Sequence, residues 1–232
     1  MPACPATAIA LLGGSFNPPH IGHFRLAHEV MEQLGIETVF FIPCSVPPHK
    51  SGKNLLPFDL RVEMLEACTR RHRGMSVCTI ENERSGPSYT IDTVRALTLR
   101  YPGRPLYFIM GSEDMPTLSQ WQSWQELAAE VNILALPRIC GAGANFQKAV
   151  QDLWPEARPE QEARQGVTMR LPTGRTAMYL PQPILDVRST DLRERFLQGR
   201  SLDHLVPEEA LAVAKAHAHT LRRFWDENAS PT

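Results

Sequence analysis

Short, nearly unbroken apolar runs alternate with amphipathic stretches along this chain, and that order constrains the fold more than any other feature. Ala8–Leu12 reads as a buried strand ended by Gly13-Gly14. Val39–Ile42 reads as a second strand stopped by Pro43, Met75–Ile80 as a third, Leu106–Met110 as a fourth before Gly111, and Val131–Leu136 as a fifth before Pro137. Between them lie segments with helical spacing of apolar residues. Ile21 to about Leu34 places Leu26, Val30, Met31 and Leu34 on one face, with Gly35 as the stop. Phe58 to about Arg71 does the same with Leu60, Met64, Leu65 and Cys68. Thr90–Arg100 turns Ile91, Val94, Leu97 and Thr98 inward, and Trp124–Glu130 is a short helix.

Strands that are apolar throughout are buried on both faces, and strand–helix alternation is how a parallel sheet acquires that cover. With right-handed crossovers, the expected fold is α/β, a Rossmann-like doubly wound parallel sheet followed by C-terminal helices. At 232 residues the chain suits one domain, or two at most, on a prior of roughly 100–200 residues each. A single domain over 1–232 is expected. Residues 138–175 form a polar excursion punctuated by glycine and proline, with one or two short helices. Thr176–Leu180 is a last strand, and 186–224 a helical tail built from Ser189–Leu197 and Pro207 to about Arg222.

Composition excludes several classes. A hydrophobic fraction of 43% is too high for disorder. A net charge of -1 provides no basic field for nucleic acid or an anionic membrane, so any polyanion must be held locally by a few placed groups. The 5 cysteines (Cys4, Cys44, Cys68, Cys78, Cys140) are odd in number and widely spaced, which reads as reduced thiols of a cytoplasmic protein. No run is long enough to span a membrane, and the N-terminus lacks the basic region of a secretory signal. Nothing fixes the oligomeric state, and a homo-oligomer stays open.

Ligands of doubly wound sheets bind beyond the carboxyl ends of the strands. After the first strand stands Gly13-Gly14-Ser15-Phe16-Asn17-Pro18-Pro19-His20-Ile21-Gly22-His23. It lacks the third glycine of a dinucleotide fingerprint. His20 and His23 can face the same way at the mouth of a helix, where imidazole donors and helix N–H groups make a compact anion site. A solvated or capping pair is the competing reading, and the position directly after a strand and a Gly-Gly turn weighs against it. A zinc pair is a third reading, but no further ligands stand at suitable spacing, and no metal site is expected in the chain itself.

The segment resembles the G-G-T-F-D-P-x-H-x-G-H signature of HxGH nucleotidyltransferases, with Ser15 for threonine and Asn17 for aspartate. The resemblance implies that Gly13, Gly14, Ser15, Phe16, His20 and His23 bind the phosphates of ATP, with His20 and His23 catalytic. Val187-Arg188-Ser189-Thr190-Asp191-Leu192-Arg193 is similar to the family's I-S-S-T-x-I-R motif, with Arg188 for the first serine. Independently of the resemblance, Ser189 and Thr190 suit a helix cap, and their hydroxyls, the first N–H groups and Arg193 suit phosphate.

Three further segments resemble bacterial nicotinate-nucleotide adenylyltransferases. They are Pro47-Pro48-His49-Lys50, Pro87-Ser88-Tyr89-Thr90-Ile91-Asp92-Thr93, and Gly111 with Trp121 beyond it; Glu113, beside Asp114, stands at the family aspartate. The resemblance makes His49, Lys50, Tyr89, Thr90, Gly111, Glu113 and Trp121 substrate-binding residues. Thr90 would receive the nicotinate carboxylate and Trp121 would stack on the pyridinium, for which indole is the best aromatic partner.

The implied reaction joins ATP and nicotinate mononucleotide into deamido-NAD and pyrophosphate, with Mg2+ carried on ATP and no covalent enzyme intermediate. A relative using nicotinamide mononucleotide, another HxGH adenylyl- or cytidylyltransferase, and a nucleotide-binding regulatory module without turnover are the alternatives.

Overall fold

The computed structural model describes residues 7–48, 54–139, 145–160 and 166–226. Its strands are β1 (Ile9–Gly14), β2 (Thr38–Pro43), β3 (Met75–Val77), β4 (Leu106–Gly111), β5 (Asn132–Leu136), β6 (Arg158–Pro159), β7 (Val167–Arg170) and β8 (Thr176–Tyr179). They form one sheet in the order β3-β2-β1-β4-β5-β8-β7-β6. The helices are α1 (Ile21–Leu34), α2 (Phe58–Thr69), α3 (Thr90–Arg100), α4 (Trp124–Glu130), α5 (Phe146–Leu153), α6 (Ser189–Leu197), α7 (Glu208–Ala216) and α8 (Ala218–Trp225). Among the described residues, no helix is long and apolar enough to cross a membrane.

The strand core follows from its composition. Every residue of β4 and β5 is buried, as a sheet covered on both faces requires. β1 pairs with β4 in parallel from Ile9 opposite Leu106 to Leu12 opposite Ile109, and β4–β5 and β5–β8 continue in parallel. Strand order reverses beside β1: the chain runs outward to β2 and β3, then returns to β4 on the other side. That reversal is the switch point at which doubly wound sheets place ligands.

Several local expectations change. The 138–175 excursion holds α5 as expected, but also β6 and β7, which extend the sheet by antiparallel pairing onto β8. The wholly parallel sheet therefore becomes a mostly parallel one with an antiparallel edge. β3 is only three residues long, and Ile80–Glu83 is a 3-10 turn whose Ile80 is buried. On α3, Thr98 is exposed and Thr93 takes the inward position. The tail helix expected from Pro207 breaks at His217 (φ −109°, ψ 24°) into α7 and α8. Gly35 ends α1 as expected, at φ +67° with its N–H on the Met31 carbonyl; a side chain would disfavour that backbone.

The chain divides into two compact units, each drawn from three stretches. The first takes its described residues from Met1–Gly13, Leu26–Phe40 and Tyr89–Asp186, the second from Gly14–Arg25, Phe41–Ser88 and Val187–Thr232. In the first, α3 and α4 pack together; in the second, α7 lies on α2, and α8 meets α6 and α7.

Candidate active site

In the second unit, the chain leaving β1 turns sharply. Phe16 adopts φ +47°, a left-handed conformation costing about 1–3 kcal/mol for a residue other than glycine. Its ring is 1% exposed, edge-on to His23 at 4.8 Å and 5.9 Å from Phe41. Phe16 therefore backs the histidines from within, and its buried ring does not face a ligand. The imidazoles of His20 and His23 stack with centroids 3.6 Å apart. The His20 main-chain N–H donates to Nδ1 of His23 at 3.1 Å, which assigns the proton of a neutral His23 to Nε2 as a donor.

The second motif arrives at the same loop from more than 170 residues away. Ser189 Oγ donates to the Pro18 carbonyl at 2.9 Å, and Arg193 Nη1 to the Asn17 carbonyl at 3.0 Å. Arg193 Nη2 also donates to Thr190 Oγ1 at 3.4 Å. The N-cap of α6 is Arg188, with no side-chain cap bond, so Ser189 and Thr190 open the first helical turn and do not cap it. This corrects the capping role expected for them. The first N–H groups of a helix have no intrahelical acceptor, and α6 carries Ser189, Thr190 and Arg193 around that end. Arg188 is exposed.

Asn17, the departure from the family aspartate, sits beneath this cluster at 5% exposure. Its Nδ2 donates to the Asn54 carbonyl at 2.6 Å, and its Oδ1 accepts from the Leu56 N–H at 3.2 Å and from Trp225 Nε1 at 3.1 Å. Two donors on one atom and an acceptor on the other fix the amide's orientation. The side chain ties the loop to Asn54, Leu56 and Trp225 through both atoms of its carboxamide. Arg61, Asn54 and Trp225 belong to this support. Sequence reasoning passed over all three, since nothing local distinguishes a buried arginine or a terminal tryptophan from ordinary helix residues.

In the first unit, Gly13 is exposed at the end of β1. Tyr89 is the N-cap of α3 and Thr90 its first residue, both half-buried. Thr90 thus stands at a helix N-terminus, where the dipole favours a carboxylate. Gly111 is buried at the end of β4, and a Cβ there would fall 2.4 Å from the Arg138 guanidinium, so the missing side chain is what lets Arg138 cross the strand end. Arg138 Nε donates to Glu113 Oε1 at 2.5 Å and Nη2 pairs with Asp114. Burial pushes the Asp114 carboxyl above its ordinary range, Arg138 pulls it back, and Glu113 adds to the upward push. Glu113 and Asp114 therefore share one guanidinium, an arrangement that sequence reasoning, which left Arg138 out, did not contain. Trp121 follows the 3-10 run Ser112–Gln120; it is half-buried and edge-on to Phe108 at 5.8 Å. His49 and Lys50 lie outside the described residues.

Residues 11–195 match the model of the cytidylyltransferase-like family. Two relatives carry the name "Probable nicotinate-nucleotide adenylyltransferase". The Maridesulfovibrio salexigens protein is 31% identical over 217 residues, 94% of this chain and 99% of the relative. The Exiguobacterium sibiricum protein is 34% identical over 200 residues, 86% and 92% of the two chains. The chain belongs to the nicotinate-nucleotide adenylyltransferase family. A Plasmodium falciparum nicotinic acid mononucleotide adenylyltransferase complexed with NaAD shares the fold, with a TM-score of 0.70, 16% identity, and coverage of 96% of this chain and 99% of that one.

Within this adenylyltransferase family, the site needs no metal ligands from the chain if the cation travels with the nucleotide. The loop carrying His20 offers imidazole donors, backbone groups and a carboxamide already engaged at Asn54, Leu56 and Trp225. Such a donor set fits an ion held chiefly by phosphate oxygens.

Proposed function

We propose that this chain transfers the adenylyl group of ATP to the phosphate of nicotinate mononucleotide, giving deamido-NAD and pyrophosphate. One observation carries the reading. In a chain of this family, stacked His20 and His23 directly follow the Asn17-Pro18 segment whose carbonyls accept from Arg193 and Ser189 of α6.

The mononucleotide phosphate oxygen attacks the α-phosphorus in line, a bond forms there, and the bond to the β-phosphate oxygen breaks. That nucleophile is already an anion at neutral pH, so the protein contributes position and charge. His20 and His23 hold the triphosphate and offset charge on the transferred group, with His23 donating through Nε2. Ser189, Thr190 and Arg193 take the outer phosphates at the start of α6. A divalent cation such as Mg2+, carried on ATP, would offset part of the charge on its phosphate oxygens. Tyr89, Thr90, Gly111, Glu113 and Trp121 receive the mononucleotide, with the Thr90 helix end selecting carboxylate over amide.

The test is pyrophosphate release from ATP and Mg2+, with nicotinate and nicotinamide mononucleotides offered separately. Release with the nicotinate form in clear preference supports the reading. Preference for the amide overturns the substrate, and ATP binding without release under either condition overturns turnover itself.

A further inference from the structure

We propose that Arg61 is the positioning residue that sets the phosphate loop, holding the Ser15 carbonyl inward so that the next peptide N–H is presented to ATP.

Arg61 lies in the first turn of α2 and is 1% exposed, the largest of the fully buried side chains among the described residues. Three of its five N–H donors go to main-chain carbonyls of three separate segments. Nε donates to Leu56 O at 3.0 Å; Nη1 donates to Ser15 O and to Cys44 O, each at 2.9 Å. Ser15 belongs to the loop after β1, Cys44 follows β2, and Leu56 precedes α2. The Cys44 N–H in turn donates to the Gly14 carbonyl at 2.8 Å, so the loop after β1 and the end of β2 are tied twice, once through the guanidinium and once directly. The Phe58 ring lies 5.4 Å below the cation.

Burying a guanidinium among carbonyls is costly, and burial does pull it below its ordinary value, with Cys44 and Glu81 acting in the opposite direction. A stable helix does not need such a group; the position after Ser15 does. Phe16 is held at φ +47°, a conformation that persists only where surrounding contacts over-determine it. In a trans peptide, C=O and N–H point in opposite directions. A Ser15 carbonyl turned inward to Arg61 therefore turns the Phe16 N–H away from the buried guanidinium. One rigid planar fork fixes that peptide, which a point-charge lysine does not reproduce.

The proposal rests on the adenylyltransferase reading, and its test separates the two. Binding of a non-hydrolysable ATP analogue by calorimetry needs no acceptor substrate. For Arg61→Lys, which keeps the charge and loses the fork, we expect analogue affinity and kcat/KM for ATP to fall by at least about tenfold with KM for the mononucleotide nearly unchanged. For Arg61→Ala, guanidinium chloride at low, non-denaturing concentration restores part of the lost ATP affinity, whereas sodium chloride and urea at the same concentration do not. Unchanged ATP affinity in a folded Arg61→Lys protein overturns the proposal. So does a loss in Arg61→Ala that guanidinium fails to recover, or failure of both variants to fold, since Arg61 would then serve stability alone. Failure of the function reading shows instead as absent turnover in the unaltered protein, with its analogue binding intact.

Discussion

Trp225 Nε1 donates to the Asn17 carboxamide oxygen across 3.1 Å, joining the last helix to the loop that carries His20 over a separation of 208 residues. Trp225 is buried and its ring stands edge-on to Phe196 of α6 at 5.2 Å. One tryptophan thereby touches the first phosphate-binding motif and the helix that carries the second. Trp225→Phe keeps an aromatic ring and removes the N–H. Asn17 Oδ1 then retains only the Leu56 N–H among these two donors. Weakening a buried acceptor's bonding costs about 1 kcal/mol, with part of the lost ring volume added to it. Urea denaturation of the two proteins measures it, and equal midpoints would remove the structural role assigned to this bond.

Asn17→Asp tests the same hub by charge. A carboxylate still accepts from Leu56 and Trp225, but its second oxygen meets the Asn54 carbonyl oxygen where Nδ2 now donates at 2.6 Å. Only the protonated acid can donate there. The folded protein therefore holds that carboxyl above its unfolded value of about 3.9, and the native state binds more protons in between. The variant matches the parent in strong acid and loses stability relative to it as pH rises through the raised value. Denaturation midpoints at pH 5 and pH 8 read this directly. A difference from the parent that does not grow with pH rules out the buried carbonyl contact.

What could be read from the sequence, and what could not, divides along physical lines. The strand–helix order, the turn after β1 and the start of α6 were legible because apolar runs, glycines and hydroxyl–arginine clusters are local signals. Arg61 was not. It follows Leu60 and precedes Met64 on a helix whose apolar face was recognised, where an arginine ordinarily marks the solvent boundary. Its partners, Ser15 and Cys44, are backbone carbonyls far away in sequence, and a carbonyl leaves no mark on residue type. β6 and β7 were hidden for a related reason. They are short edge strands whose pairing onto β8 is non-local, and their polar, proline-punctuated sequence reads as loop. Arg138 escaped because its partners Glu113 and Asp114 lie across a strand and a helix.

Two thiols, buried Cys68 and half-buried Cys44, predict a window of alkaline sensitivity. Burial, with Glu81 adding to it, pushes Cys44 up to about 11; burial also pushes Cys68 up to about 12. Both are raised acids, so the native state holds protons that the unfolded chain releases from the ordinary thiol value of 9.0 upward. Their contribution to stability is fully present below 9.0 and is lost as pH rises toward 11 and 12. At pH 8 both are neutral thiols, and the thiolate is the reactive form. Alkylation at pH 8 followed by mass spectrometry should leave buried Cys68 of the native protein unmodified and label half-buried Cys44 only slowly, and label both quickly once the chain is unfolded. Rapid native labelling of Cys68 would contradict its burial between α2 and α7.

His23 separates support from chemistry. Its Nδ1 accepts from the His20 main-chain N–H, and in the mechanism proposed Nε2 donates to phosphate. Asparagine places an acceptor near the Nδ1 position, and glutamine a donor near Nε2. His23→Asn should therefore keep the melting temperature close to the parent's and lose kcat. His23→Gln should retain more kcat and lose stability. For His20→Ala, kcat falls at least about a hundredfold, the scale of removing one preorganised donor. A His23→Asn protein with parental kcat would show that the Nε2 donor plays no part in transfer.

Trp121 offers a test of the mononucleotide end that leaves the phosphate loop untouched. The ring is half-buried, and its contact with Phe108 is edge-on at 5.8 Å, which orients the indole without enclosing it. Its chain position is set by the 3-10 run Ser112–Gln120, whose Leu118 carbonyl accepts the Trp121 N–H at 3.0 Å. A pyridinium over an indole face is worth up to about 2 kcal/mol when water is excluded. Trp121→Ala should thus raise KM for nicotinate mononucleotide by about tenfold or more, and Trp121→Phe by less, with KM for ATP within about twofold of the parent. The graded order matters as much as the size, because ring stacking weakens from indole to phenyl while simple loss of packing against Phe108 would lower stability in both. If instead ATP affinity falls and mononucleotide KM holds, the indole serves the nucleotide triphosphate, and the pyridine ring must be placed elsewhere.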